Sequence, residues 1–280
     1  MSADIQINNN SFGNSNDLSN TLVIEISKSA INVCELNNTN NSIVYSSAYT
    51  FEDSDSTSTN DIFLNAVKHY QFGKKNFEKV FINYHTALFT LCPSSFYIKE
   101  NLRTILEFNV GSTEQQFIET DDINSDIKLI YAVDEQLKST LNTLFPNHHL
   151  QNSVSVLSKL MLQSEELNKE NILLSVYQNH IEVVVKDGHK LLLANQYNSK
   201  NQEDILYYVL FILEQYHLNP LFVNLSICGN IDSNNSLIQS LKKYIKNVRL
   251  LTGHKSIDWS RVSGMPQHFN FTLINRLFCE

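Results

Sequence analysis

Glycine is scarce in this chain. Its 280 residues hold seven: Gly13, Gly73, Gly111, Gly188, Gly229, Gly253 and Gly264, against a usual share of about 7%. Phosphate cradles depend on glycine, because backbone N–H groups must reach the oxygens with no Cβ in the way. No P-loop and no G-x-G-x-x-G can be written anywhere in the chain. Long apolar runs are missing too. None approaches the roughly 18 residues of a membrane-spanning helix, so no membrane insertion is expected. Positive charge is in short supply, with 21 Lys and Arg against 29 Asp and Glu and a net charge of −8. That balance argues against general affinity for nucleic acid or anionic membranes, both of which need clustered cations. The four cysteines, Cys34, Cys92, Cys228 and Cys279, lie far apart, with no C-x-x-C pair and no His at ligand spacing. They read as buried free thiols, with no metal centre or disulfide implied. Residues 1–20 have no apolar stretch of the kind a secretory signal carries. They read as a disordered tail, and the missing signal and unpaired thiols place the chain in the cytoplasm.

What is present is a globular composition, 42% hydrophobic and 18% charged, organised as alternating strands and helices. Residues 22–36, LVIEISKSAINVCEL, are two runs of alternating apolar residues around Ser27-Lys28-Ser29. This is a hairpin pattern. A third strand follows at about 43–51. The acidic run 52–61, EDSDSTSTND, reads as a solvated loop ending in a helix N-cap. Beyond it come a helix, strands at 80–85 and 88–93, a helix over FYIKENLRTILEF (96–108), a strand at 127–133 and a helix capped by Asp134. Residues 150–168 read as a short strand merging into a helix. Residues 172–197 are three strands in meander, with Asp187-Gly188 as a tight turn. The helix at 203–218 is apolar on most faces and is expected to be buried, with Tyr207, Tyr208, Phe211 and Tyr216 packing in the core. A strand at 221–228, a helix at about 236–246 and a strand at 248–251 complete the series.

The chain repeats itself at an offset of 150 residues. Leu22, Ile24 and Ile26 fall on Ile172, Leu174 and Val176, and Ile31 and Val33 fall on Ile181 and Val183. In both halves a third strand follows, then a helix, then another strand. A repeat of this length implies a duplicated domain rather than a solenoid unit. Such a meander followed by alternating helices and strands builds a mixed sheet with helices packed on it.

This duplicated β-β-β-α-β-α-β order resembles the superfamily of actin, the heat-shock chaperones and the sugar kinases. Among these it is most similar in style to bacterial actin-like proteins of pilus assembly and cell division. The C-terminal half resembles more closely the DUF3822 proteins of Bacteroidetes. YYVLFILEQYHLNP (207–220), Cys228-Gly229-Asn230-Ile231, KKYIKNVRLL (242–251) and the terminal Leu277-Phe278-Cys279-Glu280 carry that likeness. The resemblance implies duplicated RNase H-like, actin-like ATPase domains, with mixed sheets flanked by helices. It places a first lobe at 21–152 and a second at 153–280.

The resemblance also implies where a nucleotide site would lie. In actin-like ATPases the first hairpin opens with an aspartate that helps place the metal, and a glycine follows it. The matching positions here are Glu25 and Ser27. Ser27 and Ser29 offer hydroxyls and Lys28 a point charge. The second hairpin reads Ser175-Val176-Tyr177, with no carboxylate and a ring where phosphates need open backbone. Of a paired-glycine turn under adenosine, one glycine remains, Gly229. These residues are expected to be vestiges of a site rather than a working one, since phosphoryl transfer depends on positioned metal and charge. The expected protein is therefore a non-catalytic scaffold or regulatory binding protein with no cofactor and an unidentified protein partner. The alternative is an ATPase or small-molecule kinase that uses ATP and Mg²⁺ at an atypical site built on Glu25, Lys28 and Gly229. A carboxylate supplied by Asp204 or Asp232 would favour it. Filament formation is a third reading. His148-His149 lack a third ligand, His85 reads as a core or turn residue, and Lys242, Lys243, Lys246 and Arg249 read as a solvated face.

Overall fold

The computed structural model describes residues 5–6, 19–50, 58–164, 167–169, 171–232, 235–259 and 266–279. Most of the expected N-terminal tail, residue 51 and residues 52–57 of the acidic run lie outside the described residues. The chain divides into two compact units. The first comprises residues 1–155 and 254–265, the second 156–253 and 266–280.

In the first unit, β1 (Ile5–Gln6), β2 (Asn20–Ile26), β3 (Ala30–Asn37), β4 (Ser42–Thr50), β5 (Lys79–Tyr84) and β9 (His148–Asn152) form one sheet in the order β1-β4-β3-β2-β5-β9. The short β1 pairs with β4, so the stretch read as a tail contributes a strand. Central β2 is buried along its whole length, which is why both of its faces are apolar from Leu22 to Ile26 but for Glu25. Helices α1 (Thr59–Tyr70) and α3 (Glu135–Leu144) belong to this unit, each with a side-chain cap. Ser58 accepts from the amide of Asp61, and Asp134 from that of Leu137. A separate three-stranded sheet, in the order β6-β8-β7, is built from β6 (Phe89–Pro93), β7 (Gln116–Asp122) and β8 (Ile127–Asp134). It packs with α2 (Leu102–Val110) around Cys92, Leu106, Ile130 and Ala132.

Two expectations are corrected here. The helix read at 96–108 begins at Leu102, after two short 3₁₀ turns. Strand β7 was not foreseen. Its sequence, QFIETDD, is half exposed and lacks an apolar period. It is held in place by contacts distant in sequence, with the Arg103 guanidinium donating to the carbonyls of Thr113 and Gln116 at 2.6 and 2.8 Å.

Helix α4 (Ser153–Gln163) leads into the second unit. There β10 (Ile172–Val176), β11 (His180–Asp187), β12 (Lys190–Asn198), β13 (Asn224–Gly229) and β14 (Asn247–Leu250) form a sheet in the order β12-β11-β10-β13-β14. Helices α5 (Gln202–Gln215) and α6 (Ser236–Tyr244) cover the face that carries Ile172, Leu174 and Val176. The short α7 (Phe271–Asn275) follows near the C-terminus. The expectation that α5 is buried almost all round is corrected. Ile205, Val209, Ile212 and Leu213 are buried, but Tyr207 is 62% and Phe211 44% exposed. Apolar residues at helical spacing fill one stripe against the sheet, and the two rings extend past it and stack on each other instead.

The two sheets repeat each other in register. Ile24 pairs with Val33 in the first and Leu174 with Val183 in the second. Both hairpins close on the same bond, Ser27 N to Ala30 O and Tyr177 N to His180 O, each 2.9 Å. Each second strand carries a bulge at the same place, between Glu35 and Leu36 and between Val185 and Lys186. The next strand, β5 or β13, adds parallel in both. Asp187 ends β11 and Gly188 turns the chain at φ +57°, as the sequence implied. All four cysteines are buried thiols outside any disulfide.

Candidate functional site

Glu25 lies next to the C-terminal end of β2 and is buried, as are Ser27 and Ser29, whereas Lys28 is exposed. Neither turn residue has a positive φ, so this hairpin has no conformational need for glycine. Ser27 organises the turn. Its Oγ accepts from the amides of Ala30 at 2.9 Å and Ser29 at 3.3 Å, and donates to the Ala30 carbonyl at 3.0 Å. The amides of Ser27, Ser29 and Ala30 are thus all engaged within the hairpin.

A polar row crosses the sheet at the level of Glu25. Asn32, Glu25, Asn83 and Gln151 are successive register partners on β3, β2, β5 and β9. Asn32 Nδ2 donates to Glu25 Oε2 at 2.9 Å. His85, one residue past β5, brings Nε2 within 3.2 Å of Glu25 Oε1. Asn83 is fully buried, and neither of its amide atoms has a hydrogen-bond partner.

In the second unit the buried carboxylate stands on the other strand of the hairpin. Ser175 stands opposite Glu182 where Glu25 stands opposite Asn32. Glu182 is fully buried, so the second hairpin does hold a carboxylate, on its second strand. Tyr177 stacks on His180 at 4.6 Å, and its hydroxyl lies 3.3 Å from Thr272 Oγ1 and 3.5 Å from Glu182. Gly229 ends β13 at φ +92°, and a Cβ there would sit 2.1 Å from the Val176 carbonyl oxygen. Its amide donates to the His268 carbonyl, and that of Asn230 to Val176, each at 2.7 Å. The glycine therefore serves a close approach between two backbones.

A cavity of about 420 Å³ opens at this edge of the second unit, between the N-termini of α5 and α6. Tyr177, Lys200, Glu203 and Asn230 are among its lining residues. Asn201 and Asn235 cap the two helices, accepting from Asp204 and Leu237. Asp204 does not line the cavity; its carboxylate accepts from the Lys200 amide at 2.8 Å. Asp232 is exposed.

Of the five positions marked by sequence, Glu25, Ser27, Lys28 and Ser29 share the first hairpin, and Gly229 belongs to the other unit. Sequence reasoning missed Asn83 and Glu182, and it read His85, which is buried just past β5, only as a core or turn residue. Only strand register places them, although a polar residue inside an apolar strand, as in VFINYH, is a usable signal. His148 Nδ1 lies 2.7 Å from the Phe145 carbonyl, and burial holds this ring below the ordinary imidazole value. Lys242, Lys243, Lys246 and Arg249 are exposed.

No curated protein matches the chain in sequence. Solved structures do match in fold. One is a Bacteroides thetaiotaomicron protein described as having an actin-like ATPase fold and unknown function. It is 20% identical, with TM-score 0.72 over 86% of this chain and 93% of that one. The PilM–PilN complex of type IV pilus biogenesis is 12% identical, with TM-score 0.61 over 92% and 98%. The ethanolamine utilization protein EutJ from Carboxydothermus hydrogenoformans is 7% identical, with TM-score 0.52 over 97% and 92%. At these identities the likeness shows the fold, which is that of the actin-like ATPases. The model of one family, described as a protein of unknown function, matches residues 9–248, and the chain belongs to that family, DUF3822.

Proposed function

We propose that this chain is a non-catalytic, actin-like scaffold or regulatory binding protein, a pseudo-ATPase that takes no nucleotide cofactor and acts through a protein partner. One observation carries the reading. The first-hairpin amides that would face a phosphate are occupied by Ser27 Oγ and the Ala30 carbonyl. A phosphate bound there would have to displace a formed set of hydrogen bonds. Gly229 gives no opening either, because its missing Cβ is needed by Val176. ATP with Mg²⁺ does not fit these residues.

The matched registers and bulges of the two sheets support an origin by duplication, in which both halves kept the frame and each lost a different part of the site. PilM, of the same fold, is found in a complex with PilN; a protein partner suits the present chain in the same general sense. The net charge of −8 disfavours nucleic acid. No helix among the described residues is long and apolar enough to cross a membrane. A cytoplasmic location and a source in Bacteroidetes complete the proposal. The second reading, an ATP-binding ATPase or small-molecule kinase, draws on Glu25, which keeps a carboxylate beside the turn, and on exposed Lys28.

Isothermal titration with ATP, ADP and Mg²⁺, beside a Glu25→Ala, Lys28→Ala variant, separates the two. The proposal expects no heat at millimolar nucleotide. Micromolar binding that the variant loses would establish the second reading in its place.

A further inference from the structure

The polar row of the first unit leaves a set of atoms that its own hydrogen bonds do not use. Glu25 Oε2 is held by Asn32, while the buried Oε1 is paired only with His85 Nε2, at 3.2 Å. Both amide atoms of Asn83 are buried and unpartnered, and so is Oε1 of Gln151, the next residue along the row. Glu25 and Asn83 are register partners on adjacent parallel strands, so their side chains leave the same face about 4.8 Å apart. His85 follows Asn83 by two residues, which puts it on that face as well. Buried polar groups are normally paired, and orphans concentrated at one place indicate something that pairs them.

The donor types are a carboxylate oxygen, a carboxamide oxygen and an imidazole nitrogen. We propose that Glu25, Asn83 and His85 form a site for one divalent transition-metal ion of the zinc type. Zinc binds oxygen and nitrogen at about 2.0–2.2 Å, and two ligands at a tetrahedral angle are then about 3.3 Å apart. The Glu25 Oε1 to His85 Nε2 distance is 3.2 Å. Asn32 is the outer partner such a site uses to orient its carboxylate. With Asn83 Oδ1 on the ion, Nδ2 is left for the neighbouring Gln151. The imidazole favours zinc, cobalt or nickel over magnesium and calcium, which select all-oxygen sets. This site is independent of the nucleotide question. It uses Glu25 for direct ligation and involves neither Lys28 nor the turn amides.

The test uses the full-length protein stripped with a chelator and titrated with Zn²⁺ against a chromophoric competitor, then with Co²⁺ by visible spectroscopy, with no nucleotide present. One equivalent of metal should bind, and the cobalt form should show the ligand-field bands of a low-coordinate nitrogen and oxygen site. Glu25→Gln and His85→Gln should each weaken binding at least tenfold, and Asn32→Ala roughly tenfold. A His148→Gln, His149→Gln variant should bind as the parent does. Asn83→Asp guards against misfolding as an explanation, because it keeps the shape and should tighten binding. Failure of the parent to compete for one equivalent of zinc would overturn the proposal. Equal binding by a folded His85→Gln variant, or loss confined to the His148, His149 variant, would overturn it as well.

Discussion

Ser27 and Gly229 are the two positions that the resemblance to actin-like ATPases matches to glycine, and they do opposite things. Ser27 replaces the flexibility of glycine with a side chain that closes the turn on itself. Gly229 serves a close approach between two backbones. Its φ of +92° and the 2.1 Å that would separate a Cβ from the Val176 oxygen leave no room for another residue. Gly229→Ala should therefore lower stability by about 2 kcal/mol or more, read by urea denaturation. A change under about 0.5 kcal/mol would mean that the β10–β13 approach is looser than described. The candidate positions were legible in the sequence because the hairpin pattern is local. Their surroundings were not. Asn83 and His85 lie nearly 60 residues from Glu25, and only the β2–β5 register places them beside it. Glu182 was overlooked because the pattern was sought on the first strand of its hairpin, and the carboxylate stands on the second.

At the level of elements, both meanders, their turns and the Asp134 cap follow from period and capping chemistry, which are properties of a few neighbouring residues. Strand β7 does not, because Arg103 and the pairing with β8 hold it through contacts made only in the folded chain, and the late start of α2 follows two 3₁₀ turns. Helix α5 shows the limit of period alone. Its sequence is apolar on most sides, yet only one stripe faces the sheet. Ile212, 2% exposed, should lose about 2–5 kcal/mol on substitution by Ala. Tyr207→Lys with Phe211→Lys should change stability by less than about 1 kcal/mol in the same urea experiment. A large loss from the double variant would place those rings in the core after all.

For the molecule as a whole, burial of ionisable groups sets an alkaline limit. Burial pushes the Cys279 thiol from 9.0 up to about 11. Burial, then the nearby charge of Asp134, raises the Tyr84 phenol from 10.0 to about 12. Burial and Glu35 push Cys34 up as well. The unfolded chain sheds these protons at lower pH than the folded one, so above about pH 9 the folded state binds more protons and stability falls as pH rises. Thermal melts should be flat below pH 9 on account of these groups and should decline from pH 9 to 11. A melting temperature that rises over that interval would contradict the buried placement.

The central claim is that the actin-like frame has closed its phosphate-facing turn on itself. Residue-resolved amide hydrogen exchange at Ser27, Ser29 and Ala30, with and without millimolar Mg²⁺–ATP, tests it most directly. The account predicts that these amides are protected in the free protein and that the nucleotide leaves their rates unchanged. Fast exchange in the free protein that slows when nucleotide is added would contradict it, because the turn would then be holding its donors for a phosphate.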